Sequence, residues 1–270
     1  MPTPCGVYAF NETRCVNTKR PKKIFLAAIA AALLLACLPG AALAADADYR
    51  ILSDDVCIVI SEDNIASVTE TLVVDFAQSR HGIYYNVQYE GTGWYYENVE
   101  WCGVPYSQRV YDFDVQDQPF ELSEESDEDG SAFLIAKIGD PAKTITGRQT
   151  YVVTYKCDLG EDTEASMDLF YRDLIRCADG FTIEKASFSV EFPKDFDEGA
   201  IEVTMGYKVK NDSEVEWKKN GNTVTGRALR PLTGGESITL KAELKDGYFK
   251  PKFQDLPEGL LALLILIAGI

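Results

Sequence analysis

The chain has 270 residues, with 43 Asp or Glu against 26 Lys or Arg, a net charge of −17 at pH 7. So acidic a surface repels nucleic acid and anionic headgroups, which argues against nucleic acid as a partner. His81 is the single histidine. A zinc site built on two or three imidazoles is therefore impossible, and a four-cysteine site would use every cysteine beyond residue 44.

At the start of the chain, Arg14, Lys19, Arg20, Lys22 and Lys23 precede an unbroken apolar run from Ile24 to Leu38, which Pro39 and Gly40 end before AALAAD. A charged start, an apolar centre and a small-residue cleavage site make a secretory signal, so residues 1–44 are expected to be removed after Ala44. Two other readings stay open. One is a lipoprotein signal in which Cys37 of LLAC carries the lipid, and the other is a retained anchor. Residues 1–44 hold five of the basic side chains and one of the acidic ones, which leaves 21 against 42, a net of −21. The positive-inside rule keeps the basic lead cytoplasmic and puts the acidic remainder outside.

Residues 45–253 are expected to be the exported domain, with a sub-boundary near 160–180. Helix signals are nearly absent, and short period-two runs separated by Gly, Asn, Asp and Pro recur. Val68, Leu72, Val74 and Phe76 share one face of a strand, with Glu70 among them. A carboxylate in that place must be paired or protonated. A structural ion pair is the plain reading; a strand end in water and a functional acid are the alternatives.

Residues 84–111 hold nine aromatics. Neighbours on a strand face opposite ways, so Trp94, Tyr95 and Tyr96 cannot share one face. With Trp101 they form a candidate sugar-stacking or protein-contact surface, against the plainer reading of aromatics covering a core. In ELSEESDEDG (121–130), Glu125, Asp127, Asp129 and Gly130 fall near the spacing of a calcium loop. Ala136 stands where that loop needs a bidentate Glu, so a solvated hairpin loop is expected and no metal.

IGDPAKTITGRQTYVVTYKC (138–157) reads as a turn followed by a strand with Tyr151, Val153, Tyr155 and Cys157 on one face. From Phe181 to Phe192 the alternation slips near Lys185, which predicts a bulge. KNGNTVTG (219–226) predicts a hairpin. Ile238, Leu240, Ala242 and Leu244 line the last strand. TITGR at 144–148 returns as TVTGR at 223–227, so one sandwich or two related units both remain open. The fold expected is all-β, an antiparallel β-sandwich with two packed units as a variant. At about 1.5 Å per residue, the apolar run Leu260–Ile270 spans roughly 16 Å, about half a bilayer core. Residues 254–270 are thus expected to be the start of a transmembrane helix cut short, or else a tail packed on the fold.

Cys57, Cys102, Cys157 and Cys177 follow the signal. An even number in an exported chain suggests two disulfides. The expected pairing is Cys157 with Cys177, the shortest loop, and Cys57 with Cys102; four buried free thiols are the alternative. The short bridge would stabilise by about 3 kcal/mol through the unfolded chain's entropy. SRHG around His81 lacks the strand-to-helix elbow of a hydrolase nucleophile. No catalytic residue and no cofactor are expected.

Four stretches, taken together and in order, resemble a known family. ASVTETLVVDFAQSRHGIYYNV (66–87), IGDPAKTITGRQTYVVTY, DLFYRDLIRCADGFTIEKASFSVEFPKDFD (168–197) and NTVTGRALRPLTGGESITLKAELKDGYF (222–249) are similar to motifs of the domain-of-unknown-function family 2207, the YciQ-like predicted bacterial membrane proteins. Two positions depart from it. Tyr85 stands where many members carry Arg, which leaves an ion pair from there to Glu70 without its cation. Arg172 stands near a usual Trp-Asn or Phe-Asn. The resemblance implies a signal peptide, an extracytoplasmic β domain and transmembrane helices after it, and no reaction. The function expected is a non-catalytic domain of a membrane-anchored envelope protein that binds a partner protein or glycan or senses the envelope. A carbohydrate-binding module and a carboxylate-dependent envelope hydrolase are the rivals.

Overall fold

A computed structural model describes the backbone of residues 7–9 and 49–250, apart from 98–99, 129, 161–165 and 208–209; side chains are described over the same range except at 7–9, 93–105 and 210. The alternating runs become strands. In chain order these are β1 (Val7–Ala9), β2 (Tyr49–Ile60), β3 (Ile65–Arg80), β4 (Ile83–Glu97), β5 (Glu100–Ser107), β6 (Arg109–Val115), β7 (Phe120–Ser126), β8 (Ala132–Ile138) and β9 (Ile145–Asp158). The second half adds β10 (Met167–Arg176), β11 (Thr182–Ile183), β12 (Ala186–Glu191), β13 (Ile201–Gly206), β14 (Lys210–Asn211), β15 (Val215–Asn220), β16 (Thr223–Ala228), β17 (Leu232–Thr233) and β18 (Ser237–Lys245). Two short 3₁₀ turns, Glu198–Ala200 and Asp212–Glu214, are the helical elements among the described residues. The fold is all-β.

Three sheets form. The largest has nine strands in the order β15-β16-β12-β2-β3-β9-β6, with β11 beside β2 and β17 beside β11. Its pairings are antiparallel except where β12 and β11 run parallel to β2. β2 therefore joins strands from both halves of the chain. A five-stranded sheet runs β1-β4-β8-β7, with β5 on the outer half of β4, and a four-stranded sheet runs β10-β18-β13-β14. Both smaller sheets bury one face against the large one. Phe113 of β6 lies between Tyr85 of β4 and Tyr155 of β9, while Phe170 of β10 meets Phe192 just beyond β12. One continuous core results, from Val56 and Leu72 to Ile138, Val190 and Leu240.

The turn in GDPAKTITG closes the five-stranded sheet onto the large one. A Cβ on Gly82 would lie 1.8 Å from the Ile138 carbonyl oxygen, and one on Gly139 2.1 Å from that of His81, so both positions require glycine. Asp140 accepts from the Ala142 N–H at 2.9 Å, and His81 Nδ1 lies 2.8 Å from the Lys143 carbonyl oxygen. Near Lys185 the strand breaks. β11 ends at Ile183 and β12 restarts at Ala186, both along β2, which has its own register shift between Ile51 and Ser53. The hairpin at 219–226 joins β15 to β16, with Asn220 opposite Thr223 and Gly221 at φ 58° on its tip. The echoed TITGR and TVTGR differ in conformation: Gly147 has φ 68°, while Gly226 lies inside β16 under Phe188.

The cysteines depart from the expected bridges. Cys57, Cys157 and Cys177 are free thiols. Cys57 is exposed on the outer face of β2, whereas Cys157 is buried on the inner face of β9. The two buried thiols have separate partners: Cys157 donates to Gln108 Oε1 on the inner face of β9, and Cys177, one residue beyond β10, lies against the Ala178 carbonyl. The Cys102 side chain lies outside the described residues. So do the expected signal segment, apart from β1 beside Ile83–Tyr85, and the tail 251–270. Among the described residues no helix is long and apolar enough to cross a membrane.

Candidate functional site

On β3 the even-numbered residues face inward, and Glu70 is one of them, only 8% exposed. Its cross-strand neighbours are Val56 on β2 and Val153 on β9. Its Oε2 accepts a hydrogen bond of 2.7 Å from the Tyr85 hydroxyl, which β4 lowers onto it from the five-stranded sheet. From the opposite side, β10 of the four-stranded sheet brings Arg172. Arg172 Nη1 donates to Gln108 Oε1 at 3.1 Å, and the Cys157 thiol donates to the same oxygen at 2.9 Å. Glu70 thus sits where all three sheets meet.

A second acid is beside it. Asp54 on β2 is opposite Leu72, one step along the inner face from the Val56–Glu70 pair, so the two carboxyls are diagonal neighbours. Asp54 is buried, and its Oδ1 has no hydrogen-bond partner. Tyr151 faces Leu72 from β9, and its buried hydroxyl is likewise unpartnered. No ion pair reaches either carboxyl among the described residues.

Burial lifts the Glu70 carboxyl to about 7, against the Tyr85 hydrogen bond and the Arg172 charge, which favour its ionised form. Asp54 is raised well above the usual carboxylate range by burial first, then by the charges of Glu70 and Asp55. Burial also pushes the Tyr151 hydroxyl and the Cys177 thiol up to about 12, and Asp54 adds to the rise at Cys177. Both shifts favour the protonated carboxyls over the ionised ones. Asp54 was missed in the sequence because Tyr49 and Ile51 set the opposite phase. Tracing the run Ile60, Ile58, Val56 one step back would have found it.

The other candidates do not join this cluster. In the β4–β5 hairpin, Tyr95 pairs with Cys102 and Tyr96 with Trp101, but the side chains of Trp94, Tyr95, Tyr96 and Trp101 lie outside the described residues. His81 is exposed at the β3–β4 corner. Asp127 closes the β7–β8 hairpin, its Oδ1 accepting from the Ser131 N–H at 2.8 Å. No group of three metal-ligating side chains occurs among the described residues.

The outer face of the nine-stranded sheet is a second feature. One cross-strand row reads Lys218, Thr225, Ser189, Cys57, Thr69, Thr154, Asp114. Ser67, Thr71, Ser187 and Thr223 lie in the rows beside it, and all of these are at least partly exposed. Two ion pairs lie on this face, Arg227 with Glu216 at 2.8 Å and Lys156 with Asp112 at 2.9 Å.

Residues 50–242 match the sequence model of the predicted membrane protein (DUF2207) N-terminal domain. The chain belongs to this family. No curated protein matches it. Similar solved structures include leukotriene A4 hydrolase from Saccharomyces cerevisiae, at 12% identity and TM-score 0.39 over 73% of this chain and 29% of that one. The same yeast enzyme in complex with bestatin gives 10% and 0.40 over 72% and 28%. An M1 zinc metallopeptidase from Deinococcus radiodurans gives 9% and 0.31 over 72% and 42%. The chain spans less than a third of the yeast enzyme and less than half of the Deinococcus one. Likeness this slight carries no functional argument for the DUF2207 domain.

Proposed function

We propose that residues 49–250 are a non-catalytic, extracytoplasmic partner-binding domain of a membrane-anchored envelope protein, and that the outer face of the nine-stranded sheet is its docking surface. The observation that carries this reading is a broad face rich in Ser and Thr that no described residue covers, on a chain of net charge −17. Elsewhere the acidic surface repels most envelope polymers. Short hydroxyl side chains lose little rotamer freedom when ordered, and they donate and accept hydrogen bonds in many geometries. The two carboxyls of raised pKa are sealed in the core. A glycoside hydrolase needs its acids to flank a bound substrate, and Asp54 and Glu70 flank Leu72 and Val56 instead.

The test is photo-crosslinking of the full chain in cells, with a photoreactive residue at Thr69, Thr154 or Ser189 and, as a control, at Glu121 on β7. Adducts of one discrete mass at the first three positions and none at Glu121 are expected. Hydrolysis of envelope glycan that disappears in Glu70→Gln would overturn the reading in favour of an enzyme. Glycan retention lost in Trp94→Ala or Trp101→Ala, without crosslinks, would overturn it in favour of a carbohydrate-binding module.

A further inference from the structure

We propose that the Asp54–Glu70 pair is a proton-operated latch: protonated, it closes the junction of the three sheets, and deprotonated, it loosens that junction and with it the docking face. The part concerning the docking face rests on the proposed function; the latch itself rests on geometry. Glu70 is held by one hydrogen bond from Tyr85 on the five-stranded sheet and faces Arg172 on the four-stranded sheet, so its charge state acts on both layers at once. The same strands carry both faces. Thr69 and Thr71 flank Glu70 outward on β3, and Asp55 and Cys57 do so beyond Asp54 on β2.

Burial and the neighbouring carboxyls favour protonation of the pair, and outweigh Tyr85 and Arg172, which favour the ionised Glu70. β2 presents Asp54, with Asp55 turned outward. β9 presents Tyr151 and Tyr155 on the two diagonals of Glu70, and Cys157, which shares Gln108 with Arg172. β4 presents Tyr85 and β10 presents Arg172. Beyond β10, Cys177 neighbours Asp54, with Asp179 and Glu236 adding negative charge near the Cys177 thiol. Among all these groups only Arg172 is cationic, and it donates to the Gln108 oxygen, 3.1 Å away. Two carboxylates cannot both ionise in so dry a place without weakening what covers them. Protonated, they remain neutral donors and acceptors among buried polar atoms. The Tyr85 bond is the one hydrogen bond that holds an ionised Glu70 among the described residues, and Asp54 Oδ1 and the Tyr151 hydroxyl have none.

Glu70's carboxyl is raised in the fold from an ordinary 4.5 to about 7, so the folded chain binds a proton that the unfolded chain has released. Stability from this group is full below about 4.5 and is lost as pH rises through about 7. The linkage predicts that opening becomes roughly 70-fold more favourable between pH 5 and pH 8.

The test is amide hydrogen exchange on the full chain at pH 5.5 and pH 8, corrected for intrinsic exchange. Protection of β4 and β10 is expected to fall at least about tenfold at the higher pH, with β15 and β16 nearly unchanged. Glu70→Gln is expected to abolish that difference and Asp54→Asn to reduce it. Equal protection of wild type at both pH values, or an undiminished difference in both variants, would overturn the latch. Should Glu70→Gln fail to fold, carbon-13 titration of the wild-type Glu70 carboxyl decides: a midpoint between about 6 and 8 supports the latch, and one below about 5 refutes it. Crosslinks at Thr69 that persist with no pH response count against the latch alone. A pH response with no crosslinks at either pH counts against the docking face alone.

Discussion

Tyr85→Phe removes one oxygen from the centre of the molecule and leaves the ring in place. That oxygen donates the 2.7 Å bond to Glu70 Oε2, and it is the only hydrogen bond the Glu70 carboxyl receives among the described residues. A bond to a neutral acid is worth about 1 kcal/mol and one to a carboxylate about 1.5–3 kcal/mol. Below pH 6, where Glu70 is protonated, the variant should lose about 1 kcal/mol of unfolding free energy. Above pH 8, where Glu70 is ionised, it should lose roughly 2–3 kcal/mol. The difference of ~1 kcal/mol or a little more moves the Glu70 midpoint upward by about one unit, at 1.36 kcal/mol per unit. The sign follows from which form the bond favours: the Tyr85 hydroxyl lowers the Glu70 pKa, so its removal raises it. Urea unfolding at pH 5.5 and 8.5, read by tryptophan fluorescence, gives the two losses, and the carboxyl titration gives the midpoint. Equal losses at both pH values, or a midpoint that moves down, would refute the reasoning.

A Cβ at Gly226 would lie 2.5 Å from Phe188 Cζ and 2.7 Å from the Glu216 carbonyl oxygen. Gly226→Ala should therefore cost about 1–3 kcal/mol. The melting temperature is the readout, and Phe188→Leu in the same chain should restore part of the loss but not all, because the backbone contact stays. Maleimide on the native protein should label Cys57 and spare Cys157 and Cys177, which are buried and become reactive only on unfolding. Cys177 is doubly protected, because burial pushes its thiol up to about 12. A Cys157–Cys177 linked peptide in unreduced digests would contradict the structure.

The strands were legible wherever alternation ran unbroken. The last run, Ile238 to Leu244, is the inner face of β18, and the slip near Lys185 is the break between β11 and β12. The layer count was not legible. Alternation says which side of a strand is buried but not which sheet buries it, and β2 is shared by strands that the sequence separates widely. Glu70 stood out because its neighbours alternate cleanly on both sides. The family resemblance already set the Tyr85 position beside Glu70, where the structure has a hydroxyl in place of a cation; Arg172 was not foreseeable there, since it arrives on another sheet. The cysteines misled for a similar reason: spacing along the chain favoured Cys157 with Cys177, and the fold gives each buried thiol a different partner.

The parallel joint between β2 and β12 has a consequence for how the chain reaches this state. β3 follows β2 after a four-residue turn, but Ser187 on β12 meets Asp55 from 132 positions downstream. At a synthesis rate of about 5–20 residues per second, one edge of β2 waits roughly 7–26 s for its partner. Throughout that interval Val56, Ile58 and Ile60 sit on a strand with open backbone donors and acceptors, which is a template for pairing with another chain. The central pairing of the domain is thus remote in sequence, and such non-local pairing slows folding. Delivery of the whole chain before folding starts, as happens when an extended polypeptide is threaded across a membrane, shortens that exposure instead of prolonging it.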